Sequence, residues 1–237
     1  MTRNNIQNRV INVLSRITEA EKQFQRKAGS VNLLAVSKTQ QISAIQQAFS
    51  AGLNRFGESY LQDALPKIEY FSNLQDYQDI SWHFIGPIQS NKTAKIAENF
   101  NWVHSISRLS IAQRLSRQRP DSLATLNICI QVNIDNANQK SGIHAENCIE
   151  FAEQINQLSR LKLRGLMVVP EPGTEMSQLR RPFRQVFNLF EDLNQRGFNL
   201  DTLSMGMSSD LEAAIAEGST MVRIGTDIFG PRNYPKL

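Results

Sequence analysis

Apolar residues recur along this chain in two alternating periods. Near the N-terminus Ile6, Val10, Val13, Leu14, Ile17 and Phe24 fall three and four residues apart, and Gly29 follows as a stop. That spacing predicts an amphipathic helix. Beyond it, short β-rich runs alternate with helical patterns. The runs are Val31–Lys38, Leu53–Glu58, Trp82–Gly86, Trp102–Ser105, Leu126–Ile134, Leu161–Val169, Thr202–Met205 and Met221–Ile224. Short apolar runs between turn residues read as buried strands of a parallel sheet. The helical patterns between them include Ile42, Ile45 and Phe49 closed by Gly52, and Phe183, Val186, Phe190 and Leu193 closed by Gly197. Pro66 predicts a kink or split in the helix through Leu61, Leu65 and Ile68. Ser107 is the expected N-cap of the helix after the fourth strand.

Eight strands alternating with helices, with no Pro/Gly/Ser-rich joint between them, predict an α/β protein. The expected architecture is a single (β/α)8 TIM barrel over residues 1–237, with one extra helix at the N-terminus expected to plug the barrel's bottom. The competing arrangement is an open doubly wound sheet. Its first βα turn would need a glycine fingerprint that this chain lacks there.

Composition changes this picture little. Hydrophobic residues make up 41% and charged residues 20%, the range of an ordinary globular protein. The net charge of +4 is scattered. Its densest groups, Arg160 to Arg164 and Arg180 to Arg184, lack the aromatics or glycine framework of a nucleic-acid module and read as solvated helix faces. Cys129 and Cys148 read as small buried hydrophobes in a reducing compartment. No apolar stretch is long enough to span a membrane and no signal-peptide core precedes the first helix, so the cytoplasm is the expected location. His83, His104 and His144 lie far apart in sequence without metal-ligand spacing, and no metal is expected.

Candidate chemistry gathers where the strands end. In a barrel, the C-terminal strand ends form the active face. Read in order, they carry Ser37-Lys38, Gly57-Glu58-Ser59, Gly86-Pro87, Asn133, Val168-Val169-Pro170, Ser204-Met205-Gly206 and Arg223-Ile224-Gly225-Thr226. Lys38 closes an apolar strand, so its stem is expected in apolar surroundings that lower the amine pKa and make it a nucleophile for carbonyl groups. The last two ends suit a phosphate, which barrels often bind after strands seven and eight. Ser208 offers a hydroxyl, Ser209 with Glu212 has capping-box spacing, and Gly225 with Thr226 offers backbone N–H groups and a second hydroxyl. An inward Arg223 is costly to bury unless paired, which points to a ligand anion. An amine facing a phosphate cradle suits a phosphorylated aldehyde. Pyridoxal 5′-phosphate fits both ends, and so does the substrate of a sugar-phosphate aldolase.

Longer motifs carry a resemblance. They include Leu34-Ala35-Val36-Ser37-Lys38, Phe56-Gly57-Glu58, Trp82 through Lys92, Gln139-Lys140-Ser141-Gly142, Leu203 through Asp210, and Val222-Arg223-Ile224-Gly225-Thr226 with Phe229-Gly230. In this order they make the chain similar, over nearly its whole length, to the YggS/PROSC family of pyridoxal phosphate homeostasis proteins. The resemblance implies an alanine racemase N-terminal-domain barrel, fold-type III, that is monomeric or weakly associating and carries pyridoxal 5′-phosphate on Lys38 as a Schiff base. It implies Ser208, Gly225 and Thr226 at the phosphate with Ser209 nearby, and His83, Met205 and Met207 around the ring. Arg223 aligns with the arginine that faces the pyridine nitrogen in the racemases, and a place nearer the phosphate stays open. Ser59 stands where the family usually has asparagine, which weakens a direct role for that position.

Three activities are compatible with these residues: a cofactor carrier active in vitamin B6 and amino-acid balance without robust catalysis, a racemase, and a cofactor-free aldolase. Two-base racemisation needs a second acid/base group opposite the lysine. The racemases take it, a tyrosine, from an added domain of the partner subunit. This chain ends soon after its eighth strand, and of Tyr60, Tyr70, Tyr77 and Tyr234 only Tyr60 lies near a strand end. The carrier is therefore the expected activity. Its expected partners are pyridoxal 5′-phosphate and the apo-enzymes or regulatory proteins that use it, without nucleic acid or membrane.

Overall fold

The computed structural model describes residues 5–135, 139, 141–171 and 175–231. Its strands are β1 (Asn32–Val36), β2 (Arg55–Glu58), β3 (Ser81–Phe84), β4 (Trp102–Ile106), β5 (Leu126–Asn133), β6 (Ile143–His144), β7 (Leu161–Val168), β8 (Thr202–Ser204) and β9 (Met221–Ile224). Every pairing is parallel, and the ring closes where β9 returns to β1 with Leu33 opposite Val222. β1 to β5 and β7 to β9 form the barrel. β6 pairs with the end of β5, at Val132 and Asn133, beyond the last β4 pair at Ile130. It therefore takes over the side of β5 that β4 has left.

The helices are α1 (Ile6–Gln23), α2 (Ile42–Ser50), α3 (Leu61–Ser72), α4 (Thr93–Asn99), α5 (Leu109–Gln118), α6 (Cys148–Asn156), α7 (Met176–Gln195), α8 (Leu211–Ala216) and α9 (Thr226–Phe229). The main apolar core lies between them and the outer face of the barrel. There Ala35, Phe56, Phe84, Val103, Ile128 and Val222 meet Ile45, Ile68, Ile96, Ile111, Phe183 and Ile215. Strand alternation turns every second side chain to the lumen instead.

Several expectations change. α1 does not plug the bottom: it packs against α8, α9 and α2 in the outer layer. α9 is a single turn, so its sector of the ring is open to another helix, and α1 fills it with Val10, Val13, Ile17 and Ala20. Arg26, just beyond α1, donates to the Ile215 and Ser219 carbonyls at 2.9 and 3.1 Å and fixes that placement. α3 runs unbroken through Pro66. α5 starts after Arg108 rather than Ser107, without a side-chain cap. Arg160 to Arg164 is no helix face, because β7 begins at Leu161. Arg180 and Arg184 of α7 both pair with the buried carboxylate of Glu217.

Cys129 and Cys148 are free and buried, as expected of small hydrophobes, and burial pushes each thiol up to about 12. Among the described residues no helix is long and apolar enough to cross a membrane.

Candidate functional site

β1 delivers Lys38 to the barrel's C-terminal face. The strand ends at Val36, and Thr39 takes a left-handed φ of 64°, so the chain turns away immediately after the lysine. Lys38 itself is half-buried and lines a cavity of about 550 Å³. This volume lies within the usual range of small-molecule sites. Ser59, Met207, Ser208, Ser209, Arg223, Gly225 and Thr226 line the same cavity.

The base beneath Lys38 is polar and buried. Ser37 points outward and donates its hydroxyl to Glu58 Oε1 at 2.6 Å. Lys67 of α3 donates to the same oxygen at 2.8 Å and to the Ser37 carbonyl at 2.9 Å. Burial raises the Glu58 pKa while Lys67 pulls it down, and Oε2 has no hydrogen-bond partner among the described residues. The strand end that presents Lys38 is thus clamped from behind by an ion pair.

Arg223 reaches the cavity from the lumen side. Nη1 donates to the Ser204 carbonyl and, at 2.9 Å, to Ser204 Oγ, while Nη2 donates to the Val168 carbonyl at 2.8 Å. None of these acceptors is charged, and among the described residues no carboxylate forms an ion pair with it. Burial lowers its pKa to about 10, so it stays cationic at neutral pH. The protein fixes its position, and the Asp210 carboxylate favours its charge without forming an ion pair with it.

The loops after β8 and β9 form the adjoining wall. Gly206 holds φ at 98°, and a Cβ there would lie 2.6 Å from Ala214 Cβ, so the turn requires glycine. Gly225 has an ordinary backbone, and a Cβ there would meet the Val36 carbonyl only at 3.4 Å. The expected capping box is absent. Asp210, not Ser209, stands at the N-cap position of α8, where its side chain accepts from the Met207 N–H rather than capping the helix, while Glu212 turns to Arg16. Ser208 and Ser209 both line the cavity.

Two of the residues expected around the ring, Met205 and His83, are not in the cavity lining. Met205 is fully buried and outside the lining. His83 sits deeper in the lumen, its ring stacked on Trp102 at 5.3 Å between centroids. His83 and His104, distant in sequence, are hydrogen-bonded to each other there at 2.9 Å. Sequence reasoning placed Val169 at a strand end of this face but missed Val36, Gln40, Ile85, Met167 and Asp227 in the lining. Met167 was legible as an inward residue near a strand end, whereas Gln40 and Asp227 depend on loop and helix paths.

The comparisons with known proteins decide the family. A model of the alanine racemase N-terminal domain matches residues 13–233. The chain is 52% identical over 225 residues to the pyridoxal phosphate homeostasis protein of Pseudomonas aeruginosa, covering 95% of both chains. This chain belongs to the pyridoxal phosphate homeostasis proteins. Among solved structures of the family, PipY of Synechococcus elongatus with PLP bound superposes with a TM-score of 0.77 at 34% identity, over 90% of this chain and 100% of that one. Alanine racemase of Corynebacterium glutamicum shares the fold, with a TM-score of 0.65 at 15% identity, over 95% of this chain and 63% of the racemase.

Proposed function

We propose that this pyridoxal phosphate homeostasis protein holds pyridoxal 5′-phosphate in the cavity and keeps it available without turning over a substrate robustly. The observation that carries the reading is a half-buried lysine and a buried arginine, without an ion pair among the described residues, lining one cavity beside two loops that carry hydroxyl and N–H donors. When bound, the cofactor supplies an aldehyde that an amine captures reversibly and a ring that draws electrons. Lys38 supplies the amine. Ser208, Gly225 and Thr226 supply phosphate donors, with Ser209 at the edge and Met207 against the ring. Arg223 supplies a fixed positive charge and gives up no proton. His83 and Met205 act from below the cavity rather than in contact with the cofactor.

The lining also supports a carrier over a racemase. Among the described lining residues, Lys38, Arg223 and Asp227 are ionisable. Arg223 holds its proton near neutrality, and Asp227 is tied to Arg16 at 2.6 Å. No histidine, cysteine or tyrosine of the described lining supplies the second acid/base group that two-base racemisation needs. The reading extends to a cytoplasmic, single-domain monomer whose partners are the apo-enzymes or regulatory proteins that use the cofactor.

The test is the visible spectrum of the protein and of Lys38→Ala incubated with pyridoxal 5′-phosphate, before and after borohydride reduction. A yellow wild type that bleaches on reduction, gains the cofactor's mass on Lys38 and is colourless as Lys38→Ala is the expected result. A wild type with no band defeats the reading.

A further inference from the structure

One guanidinium outside the cavity touches both loops that form its phosphate wall. Arg16 lies on α1, 192 residues before Ser208 and 211 before Asp227 in sequence. Its Nη2 donates to the Ser208 carbonyl at 3.1 Å, and its Nε donates to Glu212 Oε1, in the first turn of α8, at 2.9 Å. Its Nη1 donates to Asp227 Oδ2, in the first turn of α9, at 2.6 Å. Ser208 and Asp227 both line the cavity. We propose that Arg16 is the positioning residue that joins the two phosphate-binding loops and sets the protein's preference for a phosphorylated ligand.

Two physical consequences follow from this geometry. Ser208 belongs to the loop after β8 and Asp227 to the segment after β9. A rigid planar fork that holds both fixes the spacing between the hydroxyl of Ser208 and the N–H groups at Gly225 and Thr226. The same fork neutralises a carboxylate that faces the cavity. Left alone, Asp227 would repel a phosphate dianion and draw its donors away. Burial raises the Glu212 pKa, but the hydrogen bond and charge of Arg16 outweigh it and leave the carboxylate more acidic than usual, so the contact is charged on both sides. α1 is also held to this wall by Arg26, so the guanidinium sits on a fixed element. Arg16 makes no contact with the ligand and acts through Ser208 and Asp227.

The proposal rests on the reading of the β8 and β9 loops as the phosphate site, and the experiment separates the two. Full-length protein stripped of cofactor is titrated with pyridoxal 5′-phosphate and with pyridoxal, which lacks the phosphate, and the absorbance of the Lys38 adduct is followed. Wild type is expected to prefer the phosphorylated form. In Arg16→Met the affinity for pyridoxal 5′-phosphate falls about tenfold, the scale of one lost charge-assisted contact, while that for pyridoxal holds within about twofold. Arg16→Lys recovers part of the loss, because one ammonium cannot reach all three acceptors. Equal losses for both ligands, or none for either, overturn the role of Arg16 alone. A wild type that binds both ligands equally overturns the phosphate site and the proposal with it. If Arg16→Met does not fold, Arg16→Lys decides: an unchanged ratio of the two affinities overturns the proposal.

Discussion

His83 Nδ1 lies 2.9 Å from His104 Nε2 in the barrel lumen, and both rings are fully buried. The pair belongs to a chain of contacts that runs from Ser81 Oγ at 3.2 Å from His83 to Ser204 Oγ at 2.8 Å from His104, and on to Arg223. Arg223 can only donate. Passing hydrogens from Ser204 to His104, then to His83 and then to Ser81, gives the Ser204 hydroxyl and each ring N–H an acceptor. Both histidines are neutral in this arrangement. The lumen network therefore orients the arginine without adding a charge.

The neutrality of the pair makes stability depend on pH. Burial is the main cause that holds both pKa values down, His83 well below the ordinary range and His104 at about 3, and the repulsion an added proton would meet, from the His104 ring and Arg55 at His83 and from Arg223 at His104, adds to it. Unfolded histidines take up protons near pH 6.5, so between that pH and the folded values the unfolded state binds more protons. Stability is full above about pH 7 and falls on acidification, by up to about 1.4 kcal/mol per pH unit for each histidine. Urea denaturation between pH 7.5 and 5 checks this. His104→Gln is expected to be less stable at pH 7.5 but to lose about one histidine's share of the slope. An unchanged slope would mean that His104 is charged in the folded protein.

Glu58 and Lys67 should behave as a coupled pair. Lys67→Met leaves a buried carboxylate against the Ser37 hydroxyl alone, at a cost of about 3–5 kcal/mol. The raised Glu58 pKa rises further in that variant, so its deficit shrinks as pH falls and the carboxyl takes up a proton. Glu58→Gln combined with Lys67→Met should cost clearly less than the sum of the single changes. A double-mutant cycle in guanidinium denaturation reads the coupling, and simple additivity would argue against it.

Much of the barrel was legible because its parallel strands are short apolar runs. The limits of β9 agree with the sequence pattern residue for residue, and the other strands differ at their ends. β1 stops two residues before Lys38 because Thr39 bends the chain, which the apolar pattern cannot show. Lys38, Arg223, Ser208, Ser209, Gly225 and Thr226 meet in one cavity because they stand at or just beyond strand ends, a position that hydrophobic spacing does reveal. The His83–His104 bond was not legible: it depends on the register that sets His83 beside Trp102, and so within reach of the ring two residues further along β4. Ser209 and Glu212 matched a capping pattern, yet α8 begins one residue later and Glu212 turns to Arg16, a contact that local spacing does not encode. The place of α1 was equally hidden, since it depends on how short α9 turns out to be.

Arg223→Lys tests whether the lumen arginine acts by charge alone. An ammonium is a point charge and cannot span the Ser204 and Val168 carbonyls as the guanidinium does. One buried carbonyl loses its donor, which costs about 1–3 kcal/mol in thermal or chemical denaturation. The affinity for pyridoxal 5′-phosphate should fall at least about tenfold, because the remaining charge is no longer held against the cavity wall. Wild-type affinity in this variant would show that fixed geometry at Arg223 is dispensable.

Gly206→Ala probes the turn between β8 and the Ser208 loop. The substitution meets two penalties at one site. A side chain at φ 98° is strained by about 1–2 kcal/mol, and a Cβ 2.6 Å from Ala214 Cβ forces α8 or the loop to move, which adds about 1–3 kcal/mol of overpacking. Gly206 also accepts the Arg223 backbone N–H at 2.9 Å, so a shift there is transmitted to β9. The variant is expected to melt earlier and to bind pyridoxal 5′-phosphate more weakly. Ala214→Gly in the same chain removes the obstructing methyl, so it should restore the binding while leaving the backbone strain. If the second change restores nothing, the clash with α8 is not what disturbs the cavity, and the left-handed turn alone accounts for the loss.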